Sequence, residues 1–350
     1  MKRLRSPLVS LLLTLLMTIS YAHAQTVPEQ SRIDQISISG DGQTLAVTYV
    51  YPYRSIIDIF DTNNGQFLET LDFAPSVVFD IDLSPHGDRV LWQDSNSNIA
   101  YYDRLTGVHK FVGCGWGGVC PMEWNPRSSL VAYGWGSLID IYDAEDNAQI
   151  ASLNSDIGVS RISWSYDGQY IASSHFSSNI LLDNGQRTAV AIWNLETLDS
   201  AATETTPTVI SIEPELVIEN VGGGQIEFNP AGDRIALLNI LDSVNIDTEI
   251  VIYDLTNQEI EQAIPLEEHY VNFAWSPDGT RLAVTGQTIR IYDTMTWEVV
   301  DEIETREVTT AIQWSPDGQH IFNNGGFDGL YVDDMPLEVW QQMLHASESE

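Results

Sequence analysis

One short phrase recurs along the chain and constrains its fold more than any other feature. In its clearest copies, WSPDGTRLAV from Trp275 and WSPDGQHIF from Trp314, two apolar segments flank a Ser-Pro-Asp-Gly turn. Proline fixes φ, aspartate can bond its own backbone, and glycine adopts left-handed backbone, so such a turn joins antiparallel strands. Weaker copies begin at Ile38, Leu83, Trp124, Trp164 and Phe228. The phrase therefore predicts seven hairpins.

A second repeated feature is the end of the third strand of each unit, where an acid or amide usually follows an aromatic residue. The seven ends are Asp61, Asp103, Asp143, Asn194, Asp254, Asp293 and Asp333. Most intervals between them match the period of about 40 to 45 residues that is typical of propeller blades. We therefore predict an all-β fold, a seven-bladed β-propeller with four antiparallel strands per blade. The blades are expected at about residues 33–72, 76–113, 119–154, 158–219, 222–266, 269–304 and 307–343 of a propeller domain spanning residues 25–350.

Large aromatic residues recur at one position of the first strand in each repeat. These residues are Trp124, Trp164, Phe228, Trp275 and Trp314. A residue that returns at the same repeat position packs between blades in nearly all repeat proteins, so we predict core rather than ligand contact for this set.

These repeats resemble those of the WD-repeat family over essentially all of the chain after the leader. The third-strand ending Trp193-Asn194 is the nearest copy of the family's Trp-Asp dipeptide, and Tyr-Asp is the commonest ending. The Gly-His pair that usually opens a WD repeat is absent, so the family's Asp-His-Ser-Trp network is not carried over. The Pro-Asp-Gly turn also resembles that of secreted propellers related to the Tol translocation protein. Both resemblances imply the propeller fold.

The first 24 residues have the features of a secretory signal peptide. A basic start is followed by an apolar run at Leu8–Ile19 and an Ala-x-Ala cleavage pattern at Ala22–Ala24. No later stretch approaches the roughly 20 apolar residues of a membrane-spanning helix. We therefore expect a secreted or periplasmic protein, a monomer without membrane insertion.

The strong negative charge of the chain limits the kinds of molecule that it is expected to bind. The sequence holds 15 basic and 50 acidic residues, a formal net charge of −35. Nucleic acids and anionic membranes need a basic contact surface, so both are excluded as expected partners. A cationic ligand, a divalent metal or a saline habitat fits better, and simple solubility from a charged surface is the other interpretation.

Two cysteines, Cys114 and Cys120, lie between the second and third blades. In an exported chain we predict a disulfide between them. A metal site would need two further ligands, and neither a C-x-x-C motif nor a paired histidine accompanies these residues.

The sequence contains few of the motifs that are typical of catalytic sites. The sequence has no G-x-S-x-G motif, no room for a hydrolase domain and no metal-binding histidine spacing. One oxygen-rich group in the fifth blade could hold calcium, although it lacks the glycine of an EF-hand loop; its members are Asp242, Asn245, Asp247 and Glu249. No other cofactor is expected.

Function is then expected in the loops, since the blades are scaffold. Connections between strands two and three, and between blades, share one face of a propeller. Candidate ligand-binding residues in these connections are Tyr51, Tyr53, Arg54, Trp116, Trp135, His175, Phe176, His269, Tyr270 and Phe327. They favour a noncatalytic scaffold for a protein, peptide or glycan. The alternative is a calcium-assisted propeller enzyme such as a lactonase, lyase or hydrolase. Several of the aromatics could instead fold inward and cover the blade ends.

The last blade poses a separate question. Residues 333–339 align in phase with residues 293–299, the fourth-strand region of the preceding blade, so Leu337 to Gln341 is predicted to form the outer strand of blade seven. The competing interpretation is a short helix from Pro336 to His345.

Overall fold

Seven sheets, each with four antiparallel strands, form the described part of the chain and confirm the predicted seven-bladed propeller. The structure is a computed structural model that describes residues 32–114, 120–155, 158–177, 187–196, 198, 209–242, 247–266, 271–305, 308–325 and 330–347. In each blade the chain runs outward from the central channel, strand by strand. The innermost strand of blade one contacts those of blades two and seven, which closes the ring.

The first three blades are regular. Blade one contains β1 (Arg32–Ile38), β2 (Thr44–Tyr51), β3 (Arg54–Asp61) and β4 (Phe67–Asp72). Blade two contains β5 (Val78–Leu83), β6 (Arg89–Asp94), β7 (Asn98–Asp103) and β8 (Val108–Cys114). Blade three contains β9 (Met122–Trp124), β10 (Leu130–Trp135), β11 (Leu138–Asp143) and β12 (Ala148–Asn154).

The remaining blades carry the insertions and the end of the described chain. Blade four contains β13 (Val159–Trp164), β14 (Tyr170–Ser177), β15 (Arg187–Asn194) and β17 (Leu216–Glu219), with β16 (Ile210–Ile212) before the last strand. Blade five contains β18 (Gly223–Phe228), β19 (Arg234–Asp242), β20 (Asp247–Asp254) and β21 (Glu259–Pro265). Blade six contains β22 (Phe273–Trp275), β23 (Arg281–Val284), β24 (Thr288–Asp293) and β25 (Val299–Glu304). Blade seven contains β26 (Ile312–Trp314), β27 (Ile321–Asn323), β28 (Tyr331–Val332) and β29 (Met335–Pro336), followed by helix α1 (Leu337–Ser347).

The hairpin turns between first and second strands satisfy their own polar groups. In blade six, the Ser276 hydroxyl donates to Asp278 at 2.7 Å and accepts from the Arg281 amide at 2.9 Å. Gly279 has a φ of 71°, which side chains rarely adopt. The same serine–aspartate pair occurs in the turns of blades one, four and seven. The polar groups of these four turns are therefore satisfied by local hydrogen bonds.

The recurring tryptophans lie between blades, and several also link them by hydrogen bonds. The indole nitrogens of Trp164, Trp275 and Trp314 donate to backbone carbonyls in the preceding blade, at 3.0 to 3.4 Å. Burial between sheets and an N–H bond across the interface account for the aromatic preference at this position.

The insertion in blade four does not stay with its own sheet. Strand β16 pairs in parallel with β12, so that Ala151 lies opposite Ile210 and Leu153 opposite Ile212. Blade three therefore has five strands. The chain then returns to blade four as β17.

The predicted outer strand at Leu337 to Gln341 is wrong, because these residues form the start of α1. The outer strand of blade seven is the short β29. Leu337, Trp340 and Leu344 recur at helical spacing, and all three pack on one core cluster with Phe60 and Phe322. Packing of this apolar helix face therefore determines the structure of the segment, despite its alignment with a strand of blade six. Through this packing α1 joins blade seven to blade one. Within the described ranges, no helix is long and apolar enough to cross a membrane.

Candidate functional site

Strands two and four of every blade end at the same face of the ring, because neighbouring strands are antiparallel. We call this the connection face. Its described parts include residues 51–54, 72–78, 135–138, 154–155 and 219–223. The predicted ligand-binding residues that the structure describes belong to this face; they are Tyr51, Tyr53, Arg54, Trp135, His175 and Phe176. Trp116, His269, Tyr270 and Phe327 lie outside the described residues.

In blade one, Tyr53 projects from a two-residue connection. Its side chain is 84% exposed and its φ is 71°, a left-handed conformation that is unusual for a bulky residue. The neighbouring Arg54 forms a two-pronged ion pair with Asp72, at 3.0 and 2.9 Å. The Arg54 guanidinium carbon also lies 6.0 Å from the ring centre of Tyr51. The arginine charge is thus already balanced by a local carboxylate.

Trp135 in blade three is half-buried and takes part in blade packing. Its indole nitrogen donates to Oδ2 of Asp140 at 2.8 Å, and the Ser152 hydroxyl donates to Oδ1 of the same carboxylate. The ring packs against the core cluster between blades two and three. Trp135 is therefore fixed by the scaffold on one edge.

In blade four, His175 is 1% exposed, whereas the adjacent Phe176 is half-buried. The Ser155 hydroxyl lies 3.1 Å from Nδ1 of the His175 imidazole, and the Ser173 hydroxyl contacts Nε2. The imidazole also packs edge-on against Trp193, with ring centres 6.3 Å apart. These contacts hold the histidine ring in one orientation.

A depression lies beside His175 on blade four, and two rows of side chains produce it. In the first row His175, Ala189 and Glu219 lie side by side on β14, β15 and β17. Cross-strand neighbours point to the same sheet face, so the small alanine leaves a gap between the imidazole and the carboxylate.

The second row repeats this arrangement two residues further along each of the three strands. Ser173, Ala191 and Val217 occupy the same three strands, again with alanine in the middle. Two adjacent alanines therefore form the floor of the depression.

The result is a cavity of about 220 Å³ between blades three and four. Its mouth is on the connection face, since β12 and β17 end beside it. Glu213 and Pro214, which lie between β16 and β17, contribute to its outer wall. The lining residues are Asn154, Ser155, His175, Thr188, Ala189, Ala191, Glu213, Pro214, Val217, Glu219 and Asn220.

The structure thus brings only some of the predicted residues near one another. His175 lines the cavity, and Phe176 is its neighbour in β14. Tyr51, Tyr53 and Arg54 belong to blade one, three blades away in the ring of seven. The described aromatic residues of the connection face therefore do not form a single patch.

The predicted calcium ligands are only partly described. Asn245 and the side chain of Asp242 lie outside the described residues. Asp247 is exposed, and the Glu249 carboxylate accepts a 2.9 Å hydrogen bond from Asn239. In the part of the chain that the structure describes, no three His, Cys, Asp or Glu side chains come close enough to share a metal ion. The calcium site remains a prediction.

The predicted disulfide is also untested. Cys120 is buried, and its amide donates to the Gln93 side chain at 2.9 Å. The Cys114 side chain lies outside the described residues, so the bridge remains a prediction.

The sequence analysis missed a set of carboxyl groups in the innermost strands. Asp82, Glu123 and Glu227 each precede the recurring aromatic or leucine position of their own blade. Each accepts a hydrogen bond from the backbone amide at the aromatic position of the next blade, at 2.6, 3.0 and 3.4 Å. The recurrence of an acid at one repeat position was the available signal.

Burial sets the protonation of these carboxyls. It raises the pKa of Asp82 to about 6 and that of Glu227 to about 8. Burial also raises the pKa of Glu123 well above its usual range, and nearby Asp82 adds to this effect. Asp80 in β5 reaches a pKa of about 7 through burial, although the charge of Arg161 opposes the rise. The inner wall therefore carries protons near neutral pH.

Comparisons with known proteins support the fold alone. No family model matches the chain, and no curated protein matches it. Among solved structures, a chain of the hydrazine synthase of Kuenenia stuttgartiensis aligns with a TM-score of 0.66 at 13% identity. The alignment covers 88% of this chain and 97% of that chain. The chain is an all-β seven-bladed propeller with a propeller structural neighbour.

Proposed function

We propose that this chain is an exported, monomeric and noncatalytic binding module that recognises a protein, peptide or glycan on its connection face. The cavity between blades three and four anchors the ligand. The single observation that carries this proposal is the position of the cavity: it opens on the connection face, and a segment outside the regular repeat forms its outer wall.

The repeat pattern supports a functional origin of the cavity. Ala189 lies five residues before the end of its third strand, where blade one has Ile56 and blade three has Leu138. A large side chain is therefore compatible with the scaffold at this position. Blade four has alanine instead, which forgoes the packing that a larger residue would supply.

The setting of His175 supports a binding role over a catalytic one. Its ring is almost fully buried and is oriented by the hydroxyls of Ser155 and Ser173. A general base must reach the proton that it removes, whereas a fixed buried ring shapes a wall. We assign His175 to the wall of the cavity.

The test fills the cavity. Immobilised glycan and peptide arrays are probed with the mature wild-type chain and with Ala189→Leu, which copies the residue of blade three. Binding that depends on the cavity is expected to fall at least about tenfold, the loss typical of a central anchor.

Thr288→Leu in blade six is the matched control, since Thr288 occupies the same repeat position. Equal array binding by the wild type and a folded Ala189→Leu variant would contradict the proposal. A connection-face site at Tyr53 would then be the next to test.

A further inference from the structure

We infer that the cavity between blades three and four binds a primary ammonium group on a short alkyl stem. A lysine side chain of a peptide and a free alkyl amine share this chemistry. The inference rests on the proposed function, because it names the ligand class of the same site.

The charges around the cavity are the first argument. Glu213 and Glu219 line it and are both exposed, and neither forms an ion pair with any side chain that the structure describes. None of the lining residues is a lysine or arginine. Among these lining residues an anionic ligand would meet two carboxylates and no cation, whereas an ammonium group would be attracted. The net charge of −35 also favours the approach of cations.

The floor of the cavity provides the second argument. Ala189 and Ala191 present methyl groups, and Val217, which is 51% exposed, adds an apolar wall beside them. Lysine places its alkyl stem on apolar surface while its charged end stays among polar groups. A floor of alanines below a rim of carboxylates matches this division.

The polar groups of the rim provide the third argument. An ammonium group has three N–H donors and no acceptor. Glu213, Glu219 and Asn154 all line the cavity, and the side chain of each carries an acceptor oxygen. The His175 imidazole already contacts the hydroxyls of Ser155 and Ser173. We therefore assign it to the wall of the cavity and do not count it among the acceptors for the ammonium group.

The experiment is isothermal titration calorimetry of the mature chain at low salt with three probes. Nα-acetyl-lysine methylamide carries the ammonium group, its norleucine analogue lacks it, and n-butylamine is a free alkyl amine. We expect the lysine probe to bind about tenfold more tightly than the norleucine probe. Binding of n-butylamine at similar strength would show that the alkylammonium suffices, whereas binding of the lysine probe alone would assign a peptide as the source.

Charge variants complete the test without altering the cavity floor. Glu219→Gln is expected to weaken binding of the lysine probe about three- to fivefold, as loss of an exposed ion pair does. Glu304→Gln is the matched control, because Glu304 ends the outer strand of blade six as Glu219 ends that of blade four. This control is expected to bind like the wild type.

Two results from a binding probe would overturn the inference, as would a third, the absence of any binding. One is equal affinity for the lysine and norleucine probes, and the other is unchanged affinity after both Glu219→Gln and Glu213→Gln. If Ala189→Leu still abolished binding of array ligands in either case, the binding cavity would stand and only the cationic ligand class would fall. Absence of binding by all three probes would also overturn it.

Discussion

The indole nitrogen of Trp135 donates a 2.8 Å hydrogen bond to Oδ2 of Asp140, a carboxylate that is buried in blade three. The two residues are close because β10 and β11 are paired. Tyr133 lies opposite Asp140, and Trp135, two residues further along β10, points to the same sheet face. The tryptophan predicted to contact ligand thus also satisfies a buried hydrogen-bond acceptor of the scaffold.

Trp135→Ala is expected to lower the free energy of unfolding by about 1 to 3 kcal/mol, since a buried acceptor loses a partner. Trp135→Phe keeps most of the ring and loses only the N–H, so it should retain part of the stability. Urea denaturation of both variants measures this. Wild-type stability in Trp135→Ala would show that the indole makes no structural contribution.

The inner-wall carboxyls predict a dependence of stability on pH. The folded pKa values of Asp82, Asp80 and Glu227 are about 6, 7 and 8, against unfolded values near 4. The folded state therefore binds more protons between these limits. The stability that these groups contribute to the folded state is fully present below about pH 4, and it is lost as the pH rises from 6 to 8.

Urea denaturation at pH 5 and pH 8 measures this effect. The free energy of unfolding should be lower at pH 8, and Glu227→Gln should reduce the difference because the amide does not titrate. The exposed Glu304→Gln serves as the control and should leave the difference unchanged. A wild-type pH dependence that survives intact in Glu227→Gln would refute this role of Glu227.

Helix α1 is predicted to stabilise the closed ring. Trp340 is 5% exposed and packs edge-on against His320 and Phe322 in blade seven, with ring centres 5.6 and 6.3 Å apart. The Gln341 side chain donates to the backbone carbonyl of Gly65 in blade one. Trp340→Ala should therefore cost about 3 to 5 kcal/mol. Val339→Ala, on the exposed side of the same helix, should change the melting temperature little, and equal melting temperatures for the two variants would contradict the prediction.

The predicted bridge between Cys114 and Cys120 can be tested on the exported protein. Alkylation without reductant should add no mass, and reduction followed by alkylation should modify both thiols. Two thiols that react freely before reduction would rule the disulfide out.

Local patterns in the sequence were sufficient for the scaffold. The Pro-Asp-Gly turn and the recurring tryptophan act within one hairpin or between adjacent blades, so their repetition reveals them. The cavity could not be found in this way. Its floor depends on Ala189 lying between His175 and Glu219, residues that only the strand register brings together. Its wall depends on β16 crossing to blade three, a pairing with no local signal.

The helix at the C-terminal end illustrates a different failure. The strand alignment compared residues one by one with blade six, but the helical spacing of Leu337 and Trp340 fits the apolar surface between blades seven and one. Packing against that surface decides the structure of the segment, and the surface exists only in the closed ring.

A crystal structure of the mature chain soaked with Nα-acetyl-lysine methylamide tests the central claim most directly. The account predicts that the probe occupies the cavity between blades three and four, with its stem on Ala189 and its ammonium nitrogen about 2.7 to 2.9 Å from a carboxylate oxygen of Glu213 or Glu219. An empty cavity with the probe bound elsewhere on the connection face, for example beside Tyr53, would contradict it.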